Sequence, residues 1–185
     1  MAKLREALDE RLVEFIHRQK VFFVATSPGK HEGHVNLSPK GVDGTFSVID
    51  ERTVAYLDIV GSGIETVAHL KNDGRIVVMF CAFDGPPKVL RLHGRGTVIL
   101  PGEAGWEELM ARFPPQPGTR CVIRIDVERI SDSCGFGVPL MSYQGERGQL
   151  ADWVNHKTDE QMAEYKATKN ARSIDGLPGL PVTAE

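Results

Sequence analysis

Basic excess, clustered cysteine and long apolar runs are all scarce in this sequence, and each shortage excludes something. Lys and Arg together number 22 against 25 Asp and Glu, a formal net charge of -3. Nucleic-acid backbone and anionic membrane both select clustered excess cations, so neither is an expected partner. Local basic groups can still meet a single phosphate. The three cysteines, Cys81, Cys121 and Cys134, are an odd number at wide spacing. Without CxxC or His-rich pairing they indicate neither a disulfide framework nor a metal site. Cys81 and Cys121, in apolar strand-like runs, are expected as buried thiols. No apolar segment approaches the roughly 20 residues of a membrane helix, and the opening MAKLREALDERL is charged rather than signal-like. A cytoplasmic location is the expectation.

What remains is ordinary globular material: 185 residues, 41% apolar, the size of one domain spanning 1–185. Leu4, Leu8, Leu12, Phe15 and Ile16 recur at helical spacing and predict an opening helix of about four turns. VFFVAT (21–26), HVNLSPKG (34–41), TFSVI (45–49) and TVAYLDIV (53–60) read as strands, with Asp43-Gly44 turning the second into the third as a hairpin. In HVNLSPKG, His34, Asn36 and Ser38 face one way and Val35 and Leu37 the other, and Pro39 places its end at an edge or bulge. GSGIETVAHLKNDG (61–74) reads as a helix, RIVVMFCAF (75–83) and KVLRLHGRGTVIL (88–100) as a second hairpin across DGPP, GEAGWEELMARF (102–113) as a helix and TRCVIRIDVERIS (119–131) as a strand. Beyond it, 132–185 holds a Gly-rich loop, a helix around 149–168, and a tail whose Ile174, Leu177 and Leu180 predict docking. Six or seven strands with peripheral helices and short connections predict an α+β fold closed as an antiparallel barrel.

The sharpest local signal is Gly61-Ser62-Gly63-Ile64-Glu65-Thr66, between a strand end and a helix start. Such a start offers unpaired N–H groups and the positive end of the helix dipole, and flanking glycines let an anion approach the backbone. Ser62 and Thr66 add hydroxyls. The same letters spell a capping box, S-x-x-E, in which Glu65 folds back onto the cap. Both readings stand on these residues alone. The loop is not a dinucleotide fingerprint, since GxGxxG and a βαβ unit are missing.

In order, VFFVAT, HVNLSPKG, VAYLDIVGSGIETVAHL and RIVVMFCAFDGPPKVLRLHGRG resemble the pyridoxamine 5'-phosphate oxidase-related FMN-binding split-barrel family over roughly residues 8–130. The segments SCGFGVPLM and SIDGLPGL narrow the resemblance to an uncharacterised subgroup. The resemblance implies a split-barrel homodimer with FMN at the subunit interface. It implies ring contacts from Asn36, Ser38 and Lys40, and phosphate contacts from Gly61, Ser62, Gly63 and Thr66. Lys88 and Arg91, on opposite faces of one strand, match positions of polar or basic flavin contacts. Phe136, in the loop after Cys134, is a candidate to pack near the ring of the partner subunit's flavin. The sequence departs from the B6 oxidases at the strand and loop positions where they carry Arg and Ser-Arg-Lys groups, and their basic C-terminal motif has no match in SIDGLPGL. Pyridoxamine phosphate is therefore not the expected substrate.

The expected activity is FMN-dependent oxidoreduction of an unidentified small molecule. A flavin carrier or sensor, a deazaflavin protein, or a haem-binding dimer with His34 or His93 as axial ligand are the alternatives. Asp58 reads as a strand-end acceptor, His34 and His93 as structural strand histidines, and no pair of titrating side chains stands out as an acid/base couple.

Overall fold

The computed structural model describes residues 3–29 and 32–181. Its elements, in chain order, are β1 (Lys3–Arg5), α1 (Glu10–Arg18), β2 (Phe22–Thr26), β3 (Asn36–Lys40), β4 (Phe46–Asp50), β5 (Thr53–Ile59), α2 (Glu65–Asn72), β6 (Arg75–Cys81), β7 (Val89–Ile99), α3 (Trp106–Met110), β8 (Thr119–Ser133), α4 (Gln149–Asn155) and α5 (Asp159–Lys169). The strands form one antiparallel eight-stranded sheet in the order β3-β2-β6-β7-β8-β5-β4, with β1 also on β8. The fold is an α+β split barrel.

The strands differ from the sequence pattern at two places. Leu4 shares the helical spacing of Leu8 and Leu12 but lies on β1, 58% exposed. Asp9 starts the helix instead, its carboxylate accepting the Leu12 N–H at 2.8 Å. The extra short strand raises the count to eight. The second difference is that β3 and β4 do not pair: β3 pairs with β2, and β4 turns at Glu51-Arg52 to pair with β5. A short connection carries no crossover, but it can also join two edges that the curl of one sheet brings close. That happens here. The rings of Phe22 on β2 and Phe46 on β4 meet at 5.0 Å across the gap, and Lys40 at the end of β3 reaches Asp58 on β5.

Alternation puts Phe22, Val24, Val54, Tyr56, Ile76, Val78, Phe80, Leu90, Leu92, Ile123 and Ile125 inside the barrel, capped by Leu12, Phe15 and Ile16 of α1. β5 is buried on both faces, because Ala55 and Leu57 pack outward under Leu109 and Phe113 around α3. Cys81 and Cys121 are buried and Cys134 is exposed. The predicted helix around 149–168 is two helices, since Thr158 and Gln161 form a capping box that starts α5 afresh. Of the apolar groups of the tail, Ile174 is 73% exposed. Leu180 packs against the core, and Gly179 fits against Ile64 and the Asn170 carbonyl, with space for no side chain. No helix among the described residues is long and apolar enough to cross a membrane.

Candidate functional site

Asp58 is fully buried, and a buried carboxylate needs compensating donors. It has two. Arg120, itself buried, approaches Asp58 Oδ2 with Nη2 at 2.7 Å and Nε at 2.9 Å, and Lys40 Nζ lies 3.0 Å from Oδ1. The remaining Arg120 nitrogen, Nη1, donates to the carbonyls of Gly63 at 2.8 Å and Gly61 at 3.4 Å. Asn170 Nδ2 adds a bond to the Gly61 carbonyl at 2.9 Å. The loop before α2 is thus held from beneath by its carbonyl oxygens. The N–H groups of Ser62, Gly63, Ile64 and Glu65 donate to no group among the described residues. Ser62 and Gly63 are exposed.

The capping box written by Ser62 and Glu65 does not form. The helix cap is Ile64, with no side-chain bond, and Glu65 is already the first helical residue. Its carboxylate accepts the Ile174 N–H of the docked tail at 3.2 Å.

Polar groups on the inward row of β3 tie that strand to α2. Asn36 Nδ2 donates to Thr66 Oγ1 at 3.0 Å, and Ser38 Oγ donates to Asn36 Oδ1 at 3.1 Å. Thr26 Oγ1 lies 3.0 Å from Nδ1 of the buried His69. Burial holds the His69 imidazole below its usual pKa, against the opposing pull of Asp175 and Glu65. Through the Asn36–Thr66 bond the edge strand and the glycine loop become two walls of one cleft of about 450 Å³. His34, Val35, Asn36 and Leu37 line one side, Ser62, Gly63 and Glu65 the other, and Ile174 closes the end.

His34, read from sequence as a structural strand histidine, is instead a positioned group outside the strand. Its imidazole is 77% exposed, Nδ1 lies 2.7 Å from Asp175 Oδ1, and its backbone N–H donates to Asp175 Oδ2 at 2.8 Å. The two bonds from His34, side chain first, hold the Asp175 carboxyl below its ordinary pKa.

The cleft therefore joins Asn36 with Ser62 and Gly63, and Ser38 and Thr66 support it from the buried side. Gly61 is half-buried and contributes an anchored carbonyl. Lys40 is committed to Asp58 across the barrel split. Lys88, Arg91 and Phe136 lie elsewhere in the chain. Lys88 sits over the Phe15 ring at 4.8 Å and 3.9 Å from Asp132, and Arg91 Nη1 is 3.4 Å from Ser133 Oγ. Phe136 is 82% exposed in the loop after β8. Sequence reading missed Arg120, Asn170 and Asp175. None carried a local sign: Arg120 stands at the start of β8 in the same alternating row as Arg124, Asp126 and Glu128.

The barrel with its split closed by an edge-to-strand ion pair defines an α+β protein of the split-barrel type. The model of the family "Pyridoxamine 5'-phosphate oxidase" matches residues 8–134, and the chain belongs to that family. A relative from Aspergillus flavus, the pyridoxamine 5'-phosphate oxidase family protein ustO, is 38% identical over 192 residues, covering 95% of this chain and 76% of that one. Among solved structures, HupZ of Group A Streptococcus has a TM-score of 0.50 at 22% identity, covering 66% of this chain and 90% of its own. A histidine-to-alanine variant of HupZ reaches 0.52, covering 68% and 99%. At such identity the likeness shows the fold alone.

Proposed function

We propose that this chain binds FMN and works as an FMN-dependent oxidoreductase on a small molecule, as a homodimer in the cytoplasm. The observation that carries the reading is the cleft itself, where a glycine loop with free amides faces an edge strand across the Asn36–Thr66 bond. Family membership supports it. A phosphate needs several aligned N–H donors and a close backbone approach, and Ser62 and Gly63 present both, since their neighbouring carbonyls are turned to Arg120 and Asn170. The Glu65 carboxylate opposes an anion there, but it is partly occupied by the Ile174 amide.

FMN, when bound, supplies two-electron redox chemistry. The chain's part is to anchor the phosphate at Ser62 and Gly63, to offer the β3 edge to the ring, and to exclude water from one side with Ile174 and Leu37. Thr66 and Ser38 hold Asn36 in place rather than touching the ring. Lys40 shapes the barrel through Asp58.

The homodimer is supported by apolar groups that a lone protomer leaves in water: Val35 at 72% exposed, Leu37 at 64%, Leu140 at 79% and Phe136 at 82%. A second copy laid on this surface covers them and lets the loop carrying Phe136 reach the other protomer's cleft. The three cysteines are free, which suits a reducing compartment.

The test is equilibrium titration of purified protein with FMN and with riboflavin, following flavin fluorescence. The reading expects FMN to bind tighter than riboflavin, with the advantage reduced in Gly63→Ala, whose new Cβ would crowd the close approach of an anion to the loop backbone. Absence of FMN binding, or equal binding of both flavins, contradicts it.

A further inference from the structure

The cleft holds a carboxylate, Glu65, and among the described residues lining it no Lys or Arg. Among the described residues, Arg120 and Lys40 are committed to Asp58, and Lys71 Nζ to the Gly179 carbonyl at 2.8 Å. Among the described residues lining the cleft, one can still carry positive charge. Resting on the FMN reading above, we propose that His34, held by Asp175, is a pH-gated cation that recognises the ligand's phosphate.

The geometry is specific. Asp175 is only 12% exposed in its side chain and uses both oxygens on His34, one for the backbone N–H and one for Nδ1. That fixes the ring and leaves Nε2 as the donor for a ligand when the imidazole is protonated. Asp175 belongs to a tight turn of the SIDGLPGL segment. Ser173 N–H donates to the Leu177 carbonyl, Gly176 N–H to the Ser173 carbonyl, and Arg172 and Pro178 form a bridge. The docked tail thereby has a task, which is to present a carboxylate that positions His34 over the glycine loop. The ionisable groups facing His34 are Asp175 from the tail and Glu65 from α2, with buried His69 within electrostatic reach of both and Glu32 on its own loop. Both facing groups are acidic. Protonated His34 offsets Glu65 and makes the cleft receptive to an anion; neutral His34 leaves Glu65 uncompensated.

The experiment measures FMN and riboflavin dissociation constants for the wild type, His34→Gln and His34→Arg at about pH 6 and about pH 8, either side of the usual histidine range. FMN's own phosphate also titrates near pH 6, so the quantity read is the difference between variants at each pH. For an exposed charge contact, wild type should exceed His34→Gln by about two- to fivefold at the lower pH and converge with it at the higher. His34→Arg should bind FMN tightly at both, and riboflavin should be indifferent to position 34. His34 is exposed, so neither change threatens the fold. Identical FMN constants for wild type and His34→Gln at both pH values overturn the proposal while leaving the FMN reading intact, and so does the same His34 dependence with riboflavin. A wild type that binds no FMN at either pH refutes both.

Discussion

Replacing Arg120 separates two roles that one side chain performs. In Arg120→Met the buried Asp58 carboxylate loses two of its three close nitrogen contacts, and the Gly61 and Gly63 carbonyls lose their Arg donor. Stranding one member of a buried ion pair costs about 3–5 kcal/mol; Lys40, still 3.0 Å from Oδ1, should hold the loss toward the lower end. For a chain of this length, each kcal/mol lowers Tm by about 2–4 °C, so a fall of roughly 6–12 °C is expected. Arg120→Lys keeps the charge beside Asp58 but cannot fork to the loop carbonyls. Its stability loss should be near about 1–2 kcal/mol, the net value of one or two lost hydrogen bonds, while FMN affinity falls as far as in the Met variant. Urea denaturation gives the first quantity and FMN titration the second. If Arg120→Met costs under about 1 kcal/mol, the range of a surface pair, the burial argument is wrong. If Arg120→Lys binds FMN like the wild type, the loop is not held by its carbonyls.

Other consequences can be checked on the same protein. His69 and His93 both have pKa values lowered by burial, His93 also by Arg129 and Arg91; the unfolded chain then binds more protons than the folded one, so stability is full above about pH 6.5 and declines as pH falls below it. A pH series of urea midpoints should show this decline, and His69→Gln should flatten it. Gly94 faces the bulge that Glu128 makes in β8, where a Cβ would collide with the Asp126 carbonyl oxygen, so Gly94→Ala should cost at least about 2 kcal/mol because backbone cannot yield as a side chain does. Leu37→Asp places a charge on the exposed apolar row and should shift sedimentation toward monomer without lowering the stability of the isolated barrel; unchanged sedimentation of a dimer would remove Leu37 from the interface.

Most strands were legible because alternation and β-branched runs are local, as in Cys121, Ile123, Ile125 and Val127 of β8. The hairpin expected between β3 and β4 was misread because Asp43-Gly44 reports a turn, not what the strands beyond it pair with. Leu4 kept the helical spacing, yet pairing with Ser131 of β8 decided its structure. At the site, the glycine loop was visible as a pattern with two meanings. The capping box was lost to the docked tail, whose Ile174 amide took the Glu65 carboxylate, and the loop carbonyls went to Arg120, 62 positions from its partner Asp58. The Asp175 partner of His34 lies 141 positions away. A lone Asp inside the apolar run AYLDIV does announce a buried partner, though nothing local says which.

The proposed phosphate site consists of loop amides that no group among the described residues takes up. Backbone amide resonances of Ser62, Gly63 and Glu65, followed by NMR during titration with FMN and then with riboflavin, test it most directly. FMN should shift these three strongly and riboflavin far less, while both flavins perturb Asn36 and Leu37. Perturbations confined to other segments, with Ser62 and Gly63 unmoved by FMN, would contradict the placement of the phosphate.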